Sequence, residues 1–405
     1  MFFLSLGIIL LVGGLVGFLF QKIRLPALLG YLLLGILLGY FGLVDEDLLA
    51  ISPEIRKIAL IIILLKAGLS LNISDLKKVG RPAILMCFLP ACMEMCIVGV
   101  LGHYFFDLTF NESFLLGSVL GAVSPAVVVP RMTKMMSEGY GTDKGIPQLI
   151  TAGSSMDDIV MIVFFNSFMT IEKGSSVSAM TFLNIPLSIL SGVGVGVLIG
   201  FLLVLLFKYV HLRDSLKLSL IIGIAALLVF LESYLEKWFS FSSLLAVISL
   251  GMVILAKRPV AAKRISQKCE KLWTVAEIFL FVLVGVSIQI QYFSKYILMS
   301  LALLACSLLV RSLAVQLCLI KTKLNLKERI FVAISYLPKA TVQAAIGGTL
   351  LDYGNSVSND AIIAAGIIVL SVSVVSILFT APLAAFSMDL TYTKLTTRTL
   401  EPVQS

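Results

Sequence analysis

Long apolar runs separated by short polar stretches dominate the 405-residue chain. Cut at the polar stretches, it yields thirteen apolar segments, most near the ~20 residues a helix needs to cross a bilayer. They lie at about 3–20, 25–43, 57–72, 82–104, 112–130, 147–170, 184–209, 216–232, 241–256, 273–290, 296–318, 329–349 and 360–385. The first, within "MFFLSLGIILLVGGLVGFLF", lacks a basic leading stretch and a small-residue cleavage site. It reads as a span, not a signal peptide. The connections alternate in charge. Those after odd-numbered segments, such as "SDLKKVGR" and "AKRPVAAKRISQKCEK", hold nearly all the Lys and Arg, while those after even-numbered ones, such as "VDEDLLAISPE" and "LDYGNSVSND", do not. Basic loops stay in the cytoplasm, which predicts an external N-terminus and a cytoplasmic C-terminus.

Composition agrees: 59% of residues are hydrophobic and 13% charged, against roughly 25% charged in soluble domains. The expected class is an all-α polytopic membrane protein of about 13 transmembrane helices. The net charge of +8 does not point to nucleic acid, because the basic residues sort to one side of the membrane. Six cysteines without a C-x-x-C pair and only two histidines speak against zinc. Cys92 and Cys96, four apart on one helix face, read as packing residues. No ATP-binding motif or soluble domain is evident, so a transporter here would run on an ion gradient, without cofactor or enzymatic chemistry.

An internal repeat narrows the class. "LLKAGLSLN" (64–72) resembles "FVLVGVSIQ" (281–289), pairing Gly68 with Gly285 and Ser70 with Ser287; the same displacement carries Glu94 onto Arg311. "SPAVVVP" (124–130) falls near "PKATVQA" (338–344) at a slightly smaller displacement. The displacement amounts to seven segments, an odd number, so the copies have opposite orientation. Inverted repeats with interrupted helices at matching positions mark secondary transporters, with the substrate site near the midplane. The glycine-rich seventh segment, "SGVGVGVLIG", would link the copies. Interruptions are expected at Pro125 and Pro130 in "GAVSPAVVVP" and at Pro338 in "SYLPKATVQAAIGG". Each proline removes a backbone donor, and in hydrocarbon such breaks persist only inside protein or beside water.

Seven ionisable residues fall within the segments: Lys66, Glu94, Asp157, Asp158, Glu277, Arg311 and Lys339. A charge at mid-bilayer costs at least ~2.5–3.5 kcal/mol and marks a functional site by default. Asp157 and Asp158 diverge by about 100° on a helix, so one is expected to bind a cation while the other holds a neighbour, naturally Lys339. Burial favours a protonated carboxylate and an ammonium favours an ionised one, the balance needed to trade a proton for a metal ion. Glu94 and Arg311 read as a buried ion pair tying the copies together, one that exchanging the two residues would partly restore. Lys66 and Glu277, nearer the cytoplasmic ends, read as snorkelling side chains.

With "GAVSPAVVVP", "GSSMDDI" and "LPKATVQAA", the chain resembles the cation/proton antiporter superfamily, specifically its second family and the NHA-type branch. The resemblance implies a homodimer that exchanges Na⁺ or Li⁺ for protons, with an elevator-like core domain moving against a dimerisation domain. It implies crossed interrupted helices, Asp158 as cation and proton carrier (the metal ligand for Na⁺ or Li⁺), Asp157 paired with Lys339, and Glu94–Arg311 as the core ion pair. Many relatives carry Thr-Asp-Pro at the fifth-segment break; here Val123, Ser124 and Pro125 stand there, so coordination would lean on Asp158, Ser155, Ser124, carbonyls and water. The implied division is 1–80 dimerisation helices, 81–172 core helices, 173–210 linker, 211–294 dimerisation helices, 295–390 core helices and 391–405 cytoplasmic tail. The implied location is a bacterial cytoplasmic (inner) membrane, and the implied partners are small cations, protons, lipid and a second copy, with no nucleic acid. A titratable lysine beside Asp157 favours two protons exchanged per sodium over one. Alternatives are a K⁺/H⁺ antiporter or a sodium-coupled organic-anion symporter. A channel would need a continuous polar pore lining and a receptor a sensing domain, and neither is evident.

Overall fold

The computed structural model describes residues 2–70, 80–174, 179–235 and 241–398. Residues 71 and 72 of the repeated motif, parts of the third, sixth and eighth connections, and the tail beyond 398 lie outside the described residues. Regular structure among those described is helical: α1 (Phe2–Lys22), α2 (Ala27–Tyr40), α3 (Glu46–Ala50), α4 (Ser52–Ser70), α5 (Arg81–Met86), α6 (Leu89–Phe106), α7 (Phe110–Leu120), α8 (Pro125–Glu138), α9 (Ile146–Glu172), α10 (Ala179–Tyr209), α11 (Asp214–Leu235), α12 (Ser243–Lys257), α13 (Pro259–Val286), α14 (Ile290–Cys318), α15 (Leu326–Ser335), α16 (Thr341–Ile346), α17 (Thr349–Val357) and α18 (Asp360–Leu395). An isolated bridge joins Tyr140 to Arg398. Eight helical segments among the described residues are long and apolar enough to cross a membrane, and α2 and α12 are shorter apolar helices. The other expected spans fall on α4, α13 and α15–α17, where charges or a break interrupt the apolar run.

Two expectations need correction. The basic stretch 257–272 is not a loop: from Pro259 onward it is the first half of α13. Proline suits the first helical turn, where its missing N–H has no partner to lose, and the following charged residues are good helix formers whose polarity only sends them to the surface. Pro130 does not interrupt its helix either; α8 continues through it to Glu138, one hydrogen bond short. Residues 391–395 complete α18, Tyr392 donates to Glu138 (2.8 Å), and Gly141 N–H donates to the Thr397 carbonyl (2.8 Å).

The chain forms two compact units, Met1–Ala50 with Ile73–Phe168 and Phe281–Ser405, and Ile51–Asn72 with Met169–Leu280. In the second, Gly192, Gly196 and Gly200 bring α10 against the α12 backbone at Ser242, Ala246 and Leu250, the small-residue packing favoured where lipid supplies no hydrophobic drive. There also α4 meets α12, with Gly68 against the Ile248 carbonyl and Gly251 against Gly68. The first unit repeats the arrangement, with Gly285 of α13 against the Leu32 carbonyl of α2 and Gly35 against the Val282 carbonyl. Capping boxes recur in the same way, Thr109 with Glu112 opening α7 and Asn325 with Glu328 opening α15.

Candidate functional site

Two interruptions build the site. Between α7 and α8 the backbone runs extended into Ser124, and Pro125 then starts α8. Between α15 and α16 the chain leaves the helix from Tyr336 to Ala340, with Pro338 inside the gap. The two gaps meet. Ser124 N–H donates to the Pro338 carbonyl (2.8 Å), and the Ser124 and Thr341 hydroxyls lie 3.2 Å apart, at a sequence separation of 217. Glu94 and Arg311 meet at the same separation. Ser124 and Thr341 thus meet at the same displacement that brings Glu94 to Arg311.

Buried backbone groups freed by a break must find partners, and Gln343 supplies three of them. Its amide nitrogen donates to the Val119 (2.9 Å) and Ala122 (3.0 Å) carbonyls, while its oxygen accepts from Ala340 N–H (2.7 Å). Thr380 of α18 accepts from Lys339 N–H (2.9 Å). Sequence reading missed Gln343 and Thr380, although Gln343 stands out as the one amide in "LPKATVQAA". Gln343→Leu should strand three backbone groups, at about 1–3 kcal/mol each. The expected result is a clearly lower melting temperature in detergent, and an unchanged melt would remove this role.

The charges gather beside the crossing. Glu94, Asp157, Arg311 and Lys339 are all wholly buried, and Asp158 is nearly so at 9% exposure. Arg311 on α14 donates to Glu94 and the Gly121 carbonyl through one terminal nitrogen, and to Asp157 (2.8 Å) through the other. Lys339 Nζ donates to the same Glu94 oxygen (2.6 Å). Asp157 Oδ2 also accepts from Val123 N–H (3.3 Å). The expected Glu94–Arg311 contact is present, but the other partners differ from expectation. Asp157 is held by Arg311, and Lys339 is held by Glu94. Asp158 Oδ1 is buried with no hydrogen-bond partner among the described residues. Ser155 Oγ donates to the Thr151 carbonyl of its own helix (2.9 Å), and Ser124 is engaged at the crossing. Lys66 forms an ion pair with Glu270 in the second unit.

The chain matches the family described as "Sodium/hydrogen exchanger, transmembrane" over residues 7–385. It is 34% identical to human Sodium/hydrogen exchanger 9B2 over 379 residues, covering 90% of this chain and 69% of that protein. It is 33% identical to the Xenopus tropicalis 9B2 protein over 396 residues (94% and 72%) and 32% identical to human Sodium/hydrogen exchanger 9B1 over 385 (93% and 74%). Its fold superposes on the sodium proton antiporter MjNhaP1 from Methanocaldococcus jannaschii at pH 8 with a TM-score of 0.86, at 23% identity, covering 96% of this chain and 97% of that one. A helical membrane fold with crossed interruptions, charges buried beside the crossing and family likeness over most of its length agree: this chain belongs to the sodium/hydrogen exchanger family.

Proposed function

We propose that this antiporter exchanges Na⁺, or Li⁺, for H⁺ at Asp158. The charge balance carries the reading. Glu94 and Asp157 neutralise Arg311 and Lys339 within one hydrogen-bonded cluster, which leaves Asp158 as the carboxylate without a counter-charge. A proton or a monovalent cation neutralises it equally well, and the carboxylate cannot hold both. Such competition couples the two fluxes. Ser155, the Ser124 region and freed carbonyls complete the coordination, after Ser155 turns from the Thr151 carbonyl. The recurrence of helix contacts and capping boxes in both halves supports two inverted repeats. Rocking or elevator-like movement of core helices 81–172 and 295–390 against the dimerisation helices 1–80 and 211–294, joined by the linker 173–210, would expose the site alternately. The functional form on this reading is a homodimer in a bacterial inner membrane, with the C-terminus cytoplasmic.

The partners of Lys339 bear on stoichiometry. The two-proton scheme needs Asp157 to leave Lys339 when the cation binds, yet Lys339 rests on Glu94 (2.6 Å). With that counter-charge kept, only Asp158 titrates and exchange is one for one. Proteoliposomes given an inward NaCl gradient at clamped potentials provide the test. One-for-one exchange reaches the same proton gradient at every potential. Two-for-one exchange shifts the balance by about 2.3 kcal/mol per 100 mV, roughly sevenfold in the proton ratio at a fixed sodium gradient, and that result would return Lys339 to the titrating role. Absence of any sodium-dependent proton movement would remove the Asp158 reading itself.

A further inference from the structure

Tyr336 opens the second interruption, immediately after α15, and is wholly buried. It makes two contacts that bear on the charge cluster. Its ring lies against Arg311, with the guanidinium carbon 5.6 Å from the ring centroid, within the range of a cation–π contact. Its phenol oxygen reaches the backbone of α9 at Gly153. A Cβ placed on Gly153 would overlap that oxygen and stand 3.0 Å from the ring carbon Cζ and 3.1 Å from Met86 Cβ. Only glycine leaves room for the ring in this position. Gly153 precedes Asp157 by four residues, so the two share a face of α9 one turn apart. Tyr336 and Arg311 thus press on adjacent turns of the carboxylate helix, one through its hydroxyl and the other through Asp157.

The terminal nitrogens of Arg311 are committed to Glu94, Gly121 and Asp157, while its Nε has no hydrogen-bond partner among the described residues. Three hydrogen bonds hold the guanidinium by its terminal nitrogens within its own plane, and the ring packed against it opposes the tilt out of that plane that would lengthen them. The geometry points to Tyr336 as a positioning residue that holds Arg311 onto Asp157, with Gly153 as its socket. This inference rests on the reading of Asp158 as carrier. Without the ring, Arg311 tilts, Asp157 loses part of its counter-charge, and two carboxylates rather than one attract the cation.

Sodium-driven proton flux in proteoliposomes, measured at alkaline pH where protons compete least, tests it. Tyr336→Leu should lower the half-saturating sodium concentration by at least about threefold, with maximal flux also reduced because release slows. A purely structural role would lower the amount of active protein and leave half-saturation where it is. Gly153→Ala should push the ring away and change half-saturation in the same direction. Combining it with Tyr336→Phe removes the colliding oxygen and should bring half-saturation most of the way back. That double variant keeps the test open if Tyr336→Leu does not fold. Half-saturation within a factor of two of the parent in Tyr336→Leu, or no recovery in the double variant, overturns the positioning role. Asp158→Asn run in parallel separates the two failures: if it still transports, the carrier reading falls; if it is inactive while half-saturation in Tyr336→Leu is unmoved, only the positioning role falls.

Discussion

Asp158→Asn is expected to reduce sodium-coupled proton flux to background while the protein stays folded and melts at or above the parent temperature. Both halves follow from the same geometry. Asparagine keeps the shape of the side chain but can neither release a proton nor neutralise a cation, so the competition that couples the fluxes disappears. Removing the charge costs the fold little, because Asp158 Oδ1 has no hydrogen-bond partner among the described residues and burying an uncompensated carboxylate is itself unfavourable. Asp157→Asn makes the contrast. That carboxylate accepts from Arg311 and from Val123 N–H, so its loss leaves a buried guanidinium short of a counter-charge and should destabilise. Flux in proteoliposomes and melting in detergent, measured on both variants, distinguish the roles. Coupled flux with a parental pH profile in Asp158→Asn would sink the carrier assignment, and equal melts for the two variants would sink the division of labour between them.

Much of this organisation was legible in the chain because membrane insertion writes it there. Apolar run length marks the helices, and Pro125 and Pro338 mark the two interruptions. The same signals mislead where polarity and helix breaking part company. The segment 257–272 is charged yet helical, since charge determines which surface a residue faces and not whether its backbone coils. Pro130 sits in a helix whose other hydrogen bonds carry it through. The charged residues were identifiable as a group, because each is too costly in lipid to be incidental. Their pairing was not. Whether Lys339 reaches Glu94 or Asp157 depends on how α6, α9 and the second gap are rotated about the crossing, and no spacing in the sequence encodes a rotation. Gln343 escaped notice for a related reason: the groups it satisfies, at Val119, Ala122 and Ala340, exist as unpaired groups only once the helices are broken.

Removal of Arg311 is expected to be the most destabilising change in the cluster, and exchanging it with Glu94 should not repair it. An isolated buried pair, Glu94 with Arg311, would lose about 3–5 kcal/mol on removal of either partner and regain part of it on reversal. The cluster is not an isolated pair. Arg311→Ala leaves Glu94 with Lys339 alone, deprives Asp157 of its hydrogen-bonded cation, unpairs the Gly121 carbonyl and empties the volume of a fully buried arginine. Glu94→Ala is milder: Arg311 keeps Asp157 and the Gly121 carbonyl, and Lys339 is the one cation that loses its hydrogen-bonded carboxylate. In the reversed pair an arginine at position 94 faces Lys339, and a glutamate at position 311 faces Asp157. Like charges then replace both of the outer hydrogen bonds in a low-dielectric site where repulsion is strong. Glu94→Arg with Arg311→Glu should therefore melt no higher than Arg311→Ala, and the order of stability should be parent, Glu94→Ala, Arg311→Ala, reversed pair. Melting temperatures of the four purified proteins in one detergent test that order. A reversed pair that melts above both single variants would mean that Glu94 and Arg311 act alone, and that the contacts of Asp157 with Arg311 and of Lys339 with Glu94 do not hold the protein together.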